Sequence, residues 1–230
     1  MLRLLILYCL FLVSFSYKSI SINPGGLKGF YTLGICKYIK ENYCLNEYDL
    51  YGSSAGSWNA LYLALPLDDK NYFDKIIKIK KNDFKNLYEL ENKIKNIILE
   101  EKCIDINYLN LKCNICFSKF KGYKFKKVIK NEFEDLDDIL ECCIASSHLP
   151  IISNNRPFYC YQKQKCIDGG LFRKNYPKHI KPNLVISHKM FNNKQILKYS
   201  KKNNLDIEQL IYEGYSDARK YRNYFNIKFL

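Results

Sequence analysis

Ser54 is the residue whose neighbours in the sequence most clearly suggest chemistry. Gly52 and Gly56 flank it in a Gly-x-Ser-x-Gly pattern, after an apolar run at residues 48–51 and before a predicted helix. A serine on a sharp strand-to-helix turn needs small neighbours, because the strand and the helix pass close to its strained backbone. The N-terminus of the helix would favour negative charge developing at Ser54. The pattern predicts a nucleophilic serine, although ordinary Gly/Ser loops show the same letters.

A glycine turn upstream of Ser54 could supply hydrogen-bond donors. Gly25, Gly26, Leu27 and Gly29 lie directly after Pro24, between a predicted strand and a predicted helix. Backbone N–H groups on such a turn can hold the oxyanion that forms when a serine attacks an ester carbonyl. Because Pro24 has no N–H, it cannot donate. We therefore expect Gly25 and Gly26, with Leu27 beside them, to form the oxyanion hole.

Asp168 stands before Gly169 and Gly170 in a third motif, after another predicted strand. A free serine hydroxyl is a weak nucleophile that needs an adjacent base, and a carboxylate is one such base. The two glycines would let the backbone bring this carboxylate close to Ser54. An ordinary Asp-Gly turn gives the same sequence. The motif is informative because it follows the other two in order.

The three motifs in this order resemble the patatin-like phospholipase family, over roughly residues 19–177. The resemblance implies a lipid acyl hydrolase with a Ser-Asp dyad, in which Ser54 is the nucleophile and Asp168 the proton acceptor. It implies a phospholipid or an acylglycerol as substrate, and neither a cofactor nor a metal. It also implies an α/β fold of three layers, in which a mostly parallel central sheet is flanked by helices.

Other segments fit this resemblance, and two positions depart from it. Residues 145–150 and 175–177 are similar to family segments near the dyad, and residues 214–219 are similar to a late helix of animal adiponutrin-type members. Pro24 stands where a glycine is more usual, and Asn23 replaces the aspartate of the plant patatins. These departures leave the oxyanion hole to the two glycines that follow.

Two other functions stay open on the sequence alone. Ser54, Asp168 and His188 follow one another in the chain order of an α/β-hydrolase triad. A triad would require neither the early glycine turn nor the two glycines after Asp168, which favours the dyad. The chain could instead be a non-catalytic basic module that binds a membrane or nucleic acid. The intact Ser54 and Asp168 argue against that function.

The net charge of +14 favours an anionic partner, although a lysine-rich coding sequence alone could produce it. Basic and aromatic residues alternate over residues 119–128. This pattern predicts an edge strand with a solvated lysine face, or a segment that meets lipid head groups. Because no nucleic-acid-binding motif is visible, we expect a membrane or lipid-droplet surface as partner and no nucleic acid.

Residues 1–17 are predicted to be a signal peptide or hydrophobic anchor, and residues 18–230 to form the phospholipase-like domain. Arg3 precedes an apolar run over residues 4–13, which ends in small residues. The run is short for a transmembrane helix, and a buried first strand is the other interpretation. We expect a membrane-associated protein that enters the secretory route or lies at the cytoplasmic face.

The ten cysteines show no compact disulfide framework in their spacing. Cys113 and Cys116 could be half of a zinc site, but no other half follows at a standard spacing. Buried free thiols and no metal are expected.

The elements that must position the motifs can be predicted from the apolar patterns. Strands are predicted at residues 18–23, 48–51, 119–128, 158–167 and 184–187, and helices at residues 30–40, 57–65, 136–149 and 207–225, with two more across 67–101. Alternating strands and helices at the start predict parallel strands with right-handed crossovers. Both N-terminal motifs then follow strand ends, where sites in such sheets lie.

Overall fold

The computed structural model describes residues 18–66, 69–100, 104–172 and 174–230, so the predicted signal or anchor at residues 1–17 lies outside the described residues. These residues form a seven-stranded sheet flanked by helices. The strands are β1 (Lys18–Ile22), β2 (Tyr48–Ser53), β3 (Cys113–Lys121), β4 (Lys124–Lys130), β5 (Tyr159–Tyr161), β6 (Gln164–Ile167) and β7 (Leu184–Ile186). The α-helices are α1 (Gly29–Asn42), α2 (Ala55–Ala64), α3 (Asp69–Ile76), α4 (Leu87–Leu99), α5 (Ile106–Lys112), α6 (Leu136–Ser147), α7 (Gln195–Tyr199), α8 (Ile207–Lys220) and α9 (Arg222–Phe229).

The sheet is parallel at its centre and antiparallel at one side. Its strand order is β5-β6-β3-β2-β1-β7, and β4 pairs with the other edge of β3. The neighbours β7, β1, β2 and β3 run parallel, whereas β4, β6 and β5 are added antiparallel. The predicted α/β class, with a central sheet between helices, is confirmed. Four of the seven strands form the predicted parallel part of the sheet, and the other three are added antiparallel to it.

One edge of β3 is shared by two strands that approach each other end to end. Strand β2 pairs with the first half of β3, where Ser53 lies opposite Cys116. Strand β6 runs in the opposite direction along the second half, where Ile167 lies opposite Ser118. The carboxyl ends of β2 and β6 therefore meet along β3, where one residue separates their partner positions Cys116 and Ser118. This arrangement brings two segments together that are distant in the sequence.

Helices α1 and α8 cross in close contact, because both carry glycine where their backbones meet. A Cβ atom on Gly34 would lie 2.1 Å from the carbonyl oxygen of Ile211. A Cβ atom on Gly214 would lie 1.9 Å from that of Tyr31. The Tyr31 hydroxyl also donates a hydrogen bond of 2.7 Å to Asp217 Oδ2. The crossing fixes α1, the helix that follows the glycine turn.

Two predicted single strands are hairpins in the structure. The segment predicted as one edge strand at residues 119–128 turns at Gly122, whose φ is +64°, between β3 and β4. The segment predicted at residues 158–167 turns at Gln162 and Lys163, whose φ values are +46° and +60°. Glutamine and lysine have no preference for this left-handed backbone, so the second turn carried no sequence signal. The single-strand predictions are therefore wrong.

The cysteines of the described residues are free. Six of them are buried and Cys44 and Cys160 are exposed. Within these residues no group of three or more His, Cys, Asp or Glu side chains could hold a metal ion. No helix in the described part of the chain is both long enough and apolar enough to span a bilayer.

Candidate active site

Ser54 lies at the sharp turn between β2 and α2, in a backbone conformation that serine seldom adopts. Its φ is +55° and its ψ is −134°. The Ser54 N–H donates a 2.8 Å hydrogen bond to Ser146 Oγ, and Ser146 Oγ donates one of 2.7 Å to the Cys116 carbonyl. The turn is thus tied to α6 and β3. Such strain persists only where the surroundings fix it, and it is common at active sites.

The motif glycines around Ser54 allow three backbone segments to pack at short distance. A Cβ atom on Gly52 would lie 2.3 Å from the Gly56 carbonyl oxygen, and one on Gly56 would lie 2.2 Å from that of Ile22. A Cβ atom on Gly29 would meet Ala55 Cβ at 2.5 Å. Real Cβ contacts are longer than these distances, so larger residues would push β1, β2 and α2 apart. This close packing explains why glycine stands at these positions of the motifs.

Asp168 lies at the end of β6, directly beside Ser54. The Ser54 hydroxyl donates a 2.7 Å hydrogen bond to Asp168 Oδ2, and the Gly170 N–H donates to Oδ1. The Asp168 backbone is fixed as well, because its N–H donates to the His148 carbonyl at 2.8 Å and its own carbonyl accepts from Ser118 Oγ at 2.7 Å. The structure therefore brings the two predicted catalytic residues together. Their catalytic roles stay a prediction.

Burial affects the charge state of this pair. Ser54 and Asp168 are only 5% and 7% exposed. Desolvation raises the pKa of Asp168 above its ordinary value of 3.8, and the hydrogen bonds from Ser54 and Gly170 oppose part of that rise. A carboxylate with a raised pKa is a stronger base than one in water. The arrangement can accept a proton from Ser54.

Gly169 and Gly170 permit this close approach. A Cβ atom on Gly169 would lie 2.0 Å from the Cys116 carbonyl oxygen, and one on Gly170 would lie 2.6 Å from Asp168 Oδ1. Any side chain at either position would displace the aspartate loop from β3 or from its own carboxylate.

The predicted oxyanion turn lies between β1 and α1. Residues Gly26–Lys28 form a single 3-10 turn, and Gly26 has a φ of +54°. Among the described residues, the backbone N–H groups of Gly25, Gly26 and Leu27 have no hydrogen-bond acceptor. Gly26, Leu27 and Ser54 line the same cavity. Gly26 and Leu27 therefore lie beside Ser54 in this cavity, whereas Gly25 lines the adjoining groove.

The histidines lie outside the hydrogen bond between Ser54 and Asp168. His188 Nδ1 is buried and has no hydrogen-bond partner within the described residues; it lies 3.6 Å from where a Cβ atom on Gly25 would be. His148 Nε2 faces the Arg156 carbonyl at 3.1 Å, and His179 is exposed. Desolvation lowers the pKa of both His148 and His188. The triad arrangement of Ser54, Asp168 and His188 is not formed in this structure.

An apolar cavity opens at Ser54. It has an empty volume of about 640 Å³, its mouth included. Its apolar wall comes from α1, α2, α3 and α4, through Phe30, Leu33, Trp58, Ile76, Leu90 and Ile94. A cavity with such an apolar wall suits a hydrocarbon chain.

Sequence reasoning gave no specific role to several residues that position the site. Asn175 Nδ2 donates to the carbonyls of Ile22 at 2.8 Å and Tyr51 at 3.3 Å, while its Oδ1 accepts from Ser21 Oγ at 2.7 Å. It therefore links the ends of β1 and β2. Ser146 supports the Ser54 turn in the same way. Both residues lie in segments that resembled the family, and this was the only signal for them.

Comparison with known proteins agrees with the first two motifs. The model of the patatin-like phospholipase family matches residues 20–111, which include the glycine turn and Ser54 but not Asp168. The match covers less than half of the chain, and over this segment it confirms the resemblance to patatin-like phospholipases, a family of lipid acyl hydrolases. No curated protein sequence matches the chain.

A solved structure with a related fold is the crystal structure of VipD from Legionella pneumophila. It has 14% sequence identity and a TM-score of 0.44, over 74% of this chain and 49% of that one. The chain thus spans about half the length of the VipD chain. A likeness at this level assigns no function.

Proposed function

We propose that this protein is a lipid acyl hydrolase that cleaves carboxylic esters through a Ser54-Asp168 dyad. The observation that carries the proposal is the 2.7 Å hydrogen bond from Ser54 Oγ to Asp168 Oδ2 at the mouth of an apolar cavity. The family match over residues 20–111 supports the same class of reaction.

The proposed reaction needs only groups that this chain supplies, together with water. Asp168 accepts the hydroxyl proton as Ser54 Oγ bonds to the ester carbonyl carbon. The N–H groups of Gly25, Gly26 and Leu27 stabilise the oxyanion, each worth about 3 kcal/mol where such donors have been measured. The ester C–O bond then breaks, and the leaving alcohol takes the proton from Asp168. Asp168 next removes a proton from water as the water oxygen bonds to the acyl carbon, and it returns this proton to Ser54 Oγ as the acyl–Oγ bond breaks and the fatty acid is released.

The substrate that fits this site is a phospholipid or an acylglycerol. The cavity would hold one acyl chain against its apolar wall, with the ester carbonyl at Ser54. Lys28 is the last residue of the oxyanion turn and would face a phosphate on the head group. No nucleic acid is part of this proposal.

The protein would act at an anionic membrane or lipid-droplet surface, which we place at the β3–β4 hairpin. Lys119 lies opposite Lys126, and Lys121 lies opposite Lys124, so four lysines share one face of this hairpin. Like charges directly opposite each other destabilise a sheet. An anionic surface would relieve that repulsion, and the fully exposed Tyr123 at the tip would enter the head-group region.

Exposed apolar side chains beside the active site support the same orientation. Ile151 and Ile152 follow the end of α6, and Ile152 lines a groove with Gly25, Gly26 and Leu27. Leu171 is exposed three residues after Asp168. These side chains would contact lipid as a substrate molecule leaves the surface for the cavity. We also propose that a signal peptide or anchor at residues 1–17 brings the chain to the membrane.

The decisive experiment compares Asp168→Asn, Ser54→Ala and His188→Ala in one assay of phospholipid and acylglycerol hydrolysis. Asp168→Asn keeps the shape but removes the base, so kcat should fall by several powers of ten, as for Ser54→Ala. His188→Ala should keep most of the activity, and EDTA should leave the rates of the wild type and of His188→Ala unchanged.

Circular dichroism of each variant separates loss of catalysis from loss of fold. A folded His188→Ala that is as inactive as Ser54→Ala would replace the dyad with a triad. Activity that EDTA removes and calcium restores would contradict the metal-independent reaction.

A further inference from the structure

Glu91 is a buried carboxyl group in the wall of the cavity, on the same side of α4 as Leu90 and Ile94. It is 8% exposed, and within the described residues it is the one acidic side chain that lines this cavity. Its Oε2 atom is fully buried and has no hydrogen-bond partner among those residues. A buried polar atom without a partner is uncommon, because it loses its hydration and gains nothing in return.

The other polar side chains of the cavity wall have hydrogen-bond partners of their own, and none of them is a partner of Glu91 Oε2. Asn59 Nδ2 donates to the Gly29 carbonyl at 3.1 Å and to Thr32 Oγ1 at 2.6 Å. Ser147 Oγ donates to the Cys143 carbonyl at 2.6 Å and accepts from Trp58 Nε1 at 3.0 Å. The Ser147 hydroxyl therefore has the Cys143 carbonyl as its acceptor, although it lies close enough to interact with the Glu91 carboxyl as well. Among the described residues, Glu91 Oε2 remains without a hydrogen-bond partner in the wall of an otherwise apolar cavity.

The surroundings favour the neutral form of this carboxyl group. Desolvation and the nearby Asp168 raise the pKa of Glu91 well above its ordinary value, and the Ser147 hydroxyl opposes this rise only in part. A protonated carboxyl can both donate and accept a hydrogen bond. It is compatible with an apolar cavity, which an unpaired carboxylate is not.

We propose that Glu91 is a specificity-determining residue that hydrogen-bonds an oxygen on the acyl chain, so that the cavity prefers hydroxylated or otherwise oxidised acyl groups. An unmodified hydrocarbon chain that fills the cavity shields Glu91 from water and leaves its Oε2 atom unpaired. A hydroxyl group at the matching carbon restores the lost hydrogen bonds. This inference rests on the proposed function and names the substrate class of that same site.

The size of the preference follows from the cost of leaving a buried hydrogen-bonding group without a partner. A purely apolar cavity discriminates poorly between a chain and its hydroxylated form, whereas a cavity with a buried hydrogen-bonding group rejects the chain that lacks the partner. We expect a preference of about tenfold or more in kcat/KM for the best hydroxylated position. Replacing Glu91 by methionine, which has similar length and no hydrogen-bonding oxygen, should bring the ratio to about one.

The test measures hydrolysis of octadecanoyl esters and of their monohydroxylated isomers, with the hydroxyl placed at successive carbons. The wild type should prefer a narrow range of hydroxyl positions. Glu91→Gln should keep part of this preference, because it keeps a donor and an acceptor. Glu91→Met should lose the preference, because its kcat/KM for the unmodified ester rises. Glu89→Gln is the matched control, since Glu89 lies on the same helix outside the cavity. A wild-type ratio near one at every position, or an unchanged ratio in Glu91→Met, overturns the proposal.

A binding measurement keeps this test separate from the proposed reaction. Trp58 is the one tryptophan of the sequence and lines the cavity, so its fluorescence reports occupancy. In Ser54→Ala, the hydroxylated fatty acid should bind about tenfold more tightly than octadecanoate, and Glu91→Met should abolish the difference. Equal binding of both acids overturns the proposal. Absence of ester hydrolysis with selective binding intact would instead refute the proposed reaction and support the role of Glu91.

Discussion

At the scale of single residues, the burial that raises the basicity of Asp168 also has a cost in stability. A carboxylate with little exposure loses hydration, and within the described residues the hydrogen bonds that compensate it come from Ser54 and Gly170. Because the folded-state pKa is raised, the native protein holds this proton at a higher pH than the unfolded chain does. The contribution of Asp168 to stability is therefore present at low pH and is lost as the pH rises through the raised pKa.

The pH dependence of hydrolysis should report this carboxyl group. Asp168 must be ionised to accept the Ser54 proton, so kcat/KM should rise with pH to a plateau. The midpoint of that rise should lie above the ordinary value of 3.8. His188→Gln should leave the midpoint in place, because His188 does not contact the pair. Glu91→Gln, measured in parallel, removes the second titrating group at the cavity. An acid limb that disappears in His188→Gln would assign it to the imidazole instead.

At the scale of elements, sequence patterns located the parts of the site that depend on glycine and on apolar runs. The turns at Gly52 and Gly169 were predictable, because a Cβ atom there would clash with a neighbouring backbone, and the turn at Gly26 was predictable because its φ of +54° favours glycine. The turn at Gln162 and Lys163 was not predictable, since neither residue type favours positive φ. Glu91 was not recognised either. It lies in a stretch that reads as an ordinary amphipathic helix, and only the folded structure shows what its carboxyl faces.

The crossing of α1 and α8 allows a test in which two effects have opposite signs. Helix propensity alone predicts that Gly214→Ala stabilises the protein by about 1 kcal/mol. The contact with the Tyr31 carbonyl predicts the reverse, because the new methyl group would have to displace a helix backbone. We expect a net loss of about 1–3 kcal/mol in the free energy of unfolding, measured with urea.

Gly122→Ala is the control for this loss. Gly122 has a φ of +64° but no atom within 4 Å of the added methyl group. Gly122→Ala should lower the free energy of unfolding only by the cost of this backbone conformation, about 1 kcal/mol. If Gly214→Ala were more stable than the wild type, the close crossing of the two helices would be wrong.

At the scale of the whole molecule, we expect the lysines to contribute unequally to membrane binding. The hairpin lysines Lys121, Lys124 and Lys126 are exposed together at one end of the sheet. Each lysine near an anionic bilayer contributes about 1 kcal/mol. Reversing all three to glutamate should therefore lower partitioning onto vesicles of phosphatidylglycerol and phosphatidylcholine by about 100-fold or more. Sedimentation of vesicles at low salt measures this partitioning.

Reversal of the exposed lysines Lys198, Lys201 and Lys220 is the matched control, because it changes the net charge equally. This variant should bind more tightly than the hairpin variant. Equal losses in both would show that net charge alone, and no particular face, governs attraction to the membrane. Added salt should weaken binding of the wild type in either case.

The end-to-end meeting of β2 and β6 on the edge of β3 has a consequence for the order in which the proposed dyad is assembled. Ser54 is synthesised 114 residues before Asp168. Contacts between segments so far apart in the chain form late, because the long intervening loop must first be closed. A nascent or partly unfolded chain therefore carries Ser54 without Asp168 beside it. For the proposed reaction, this order means that no ester is cleaved until β6 has paired with β3.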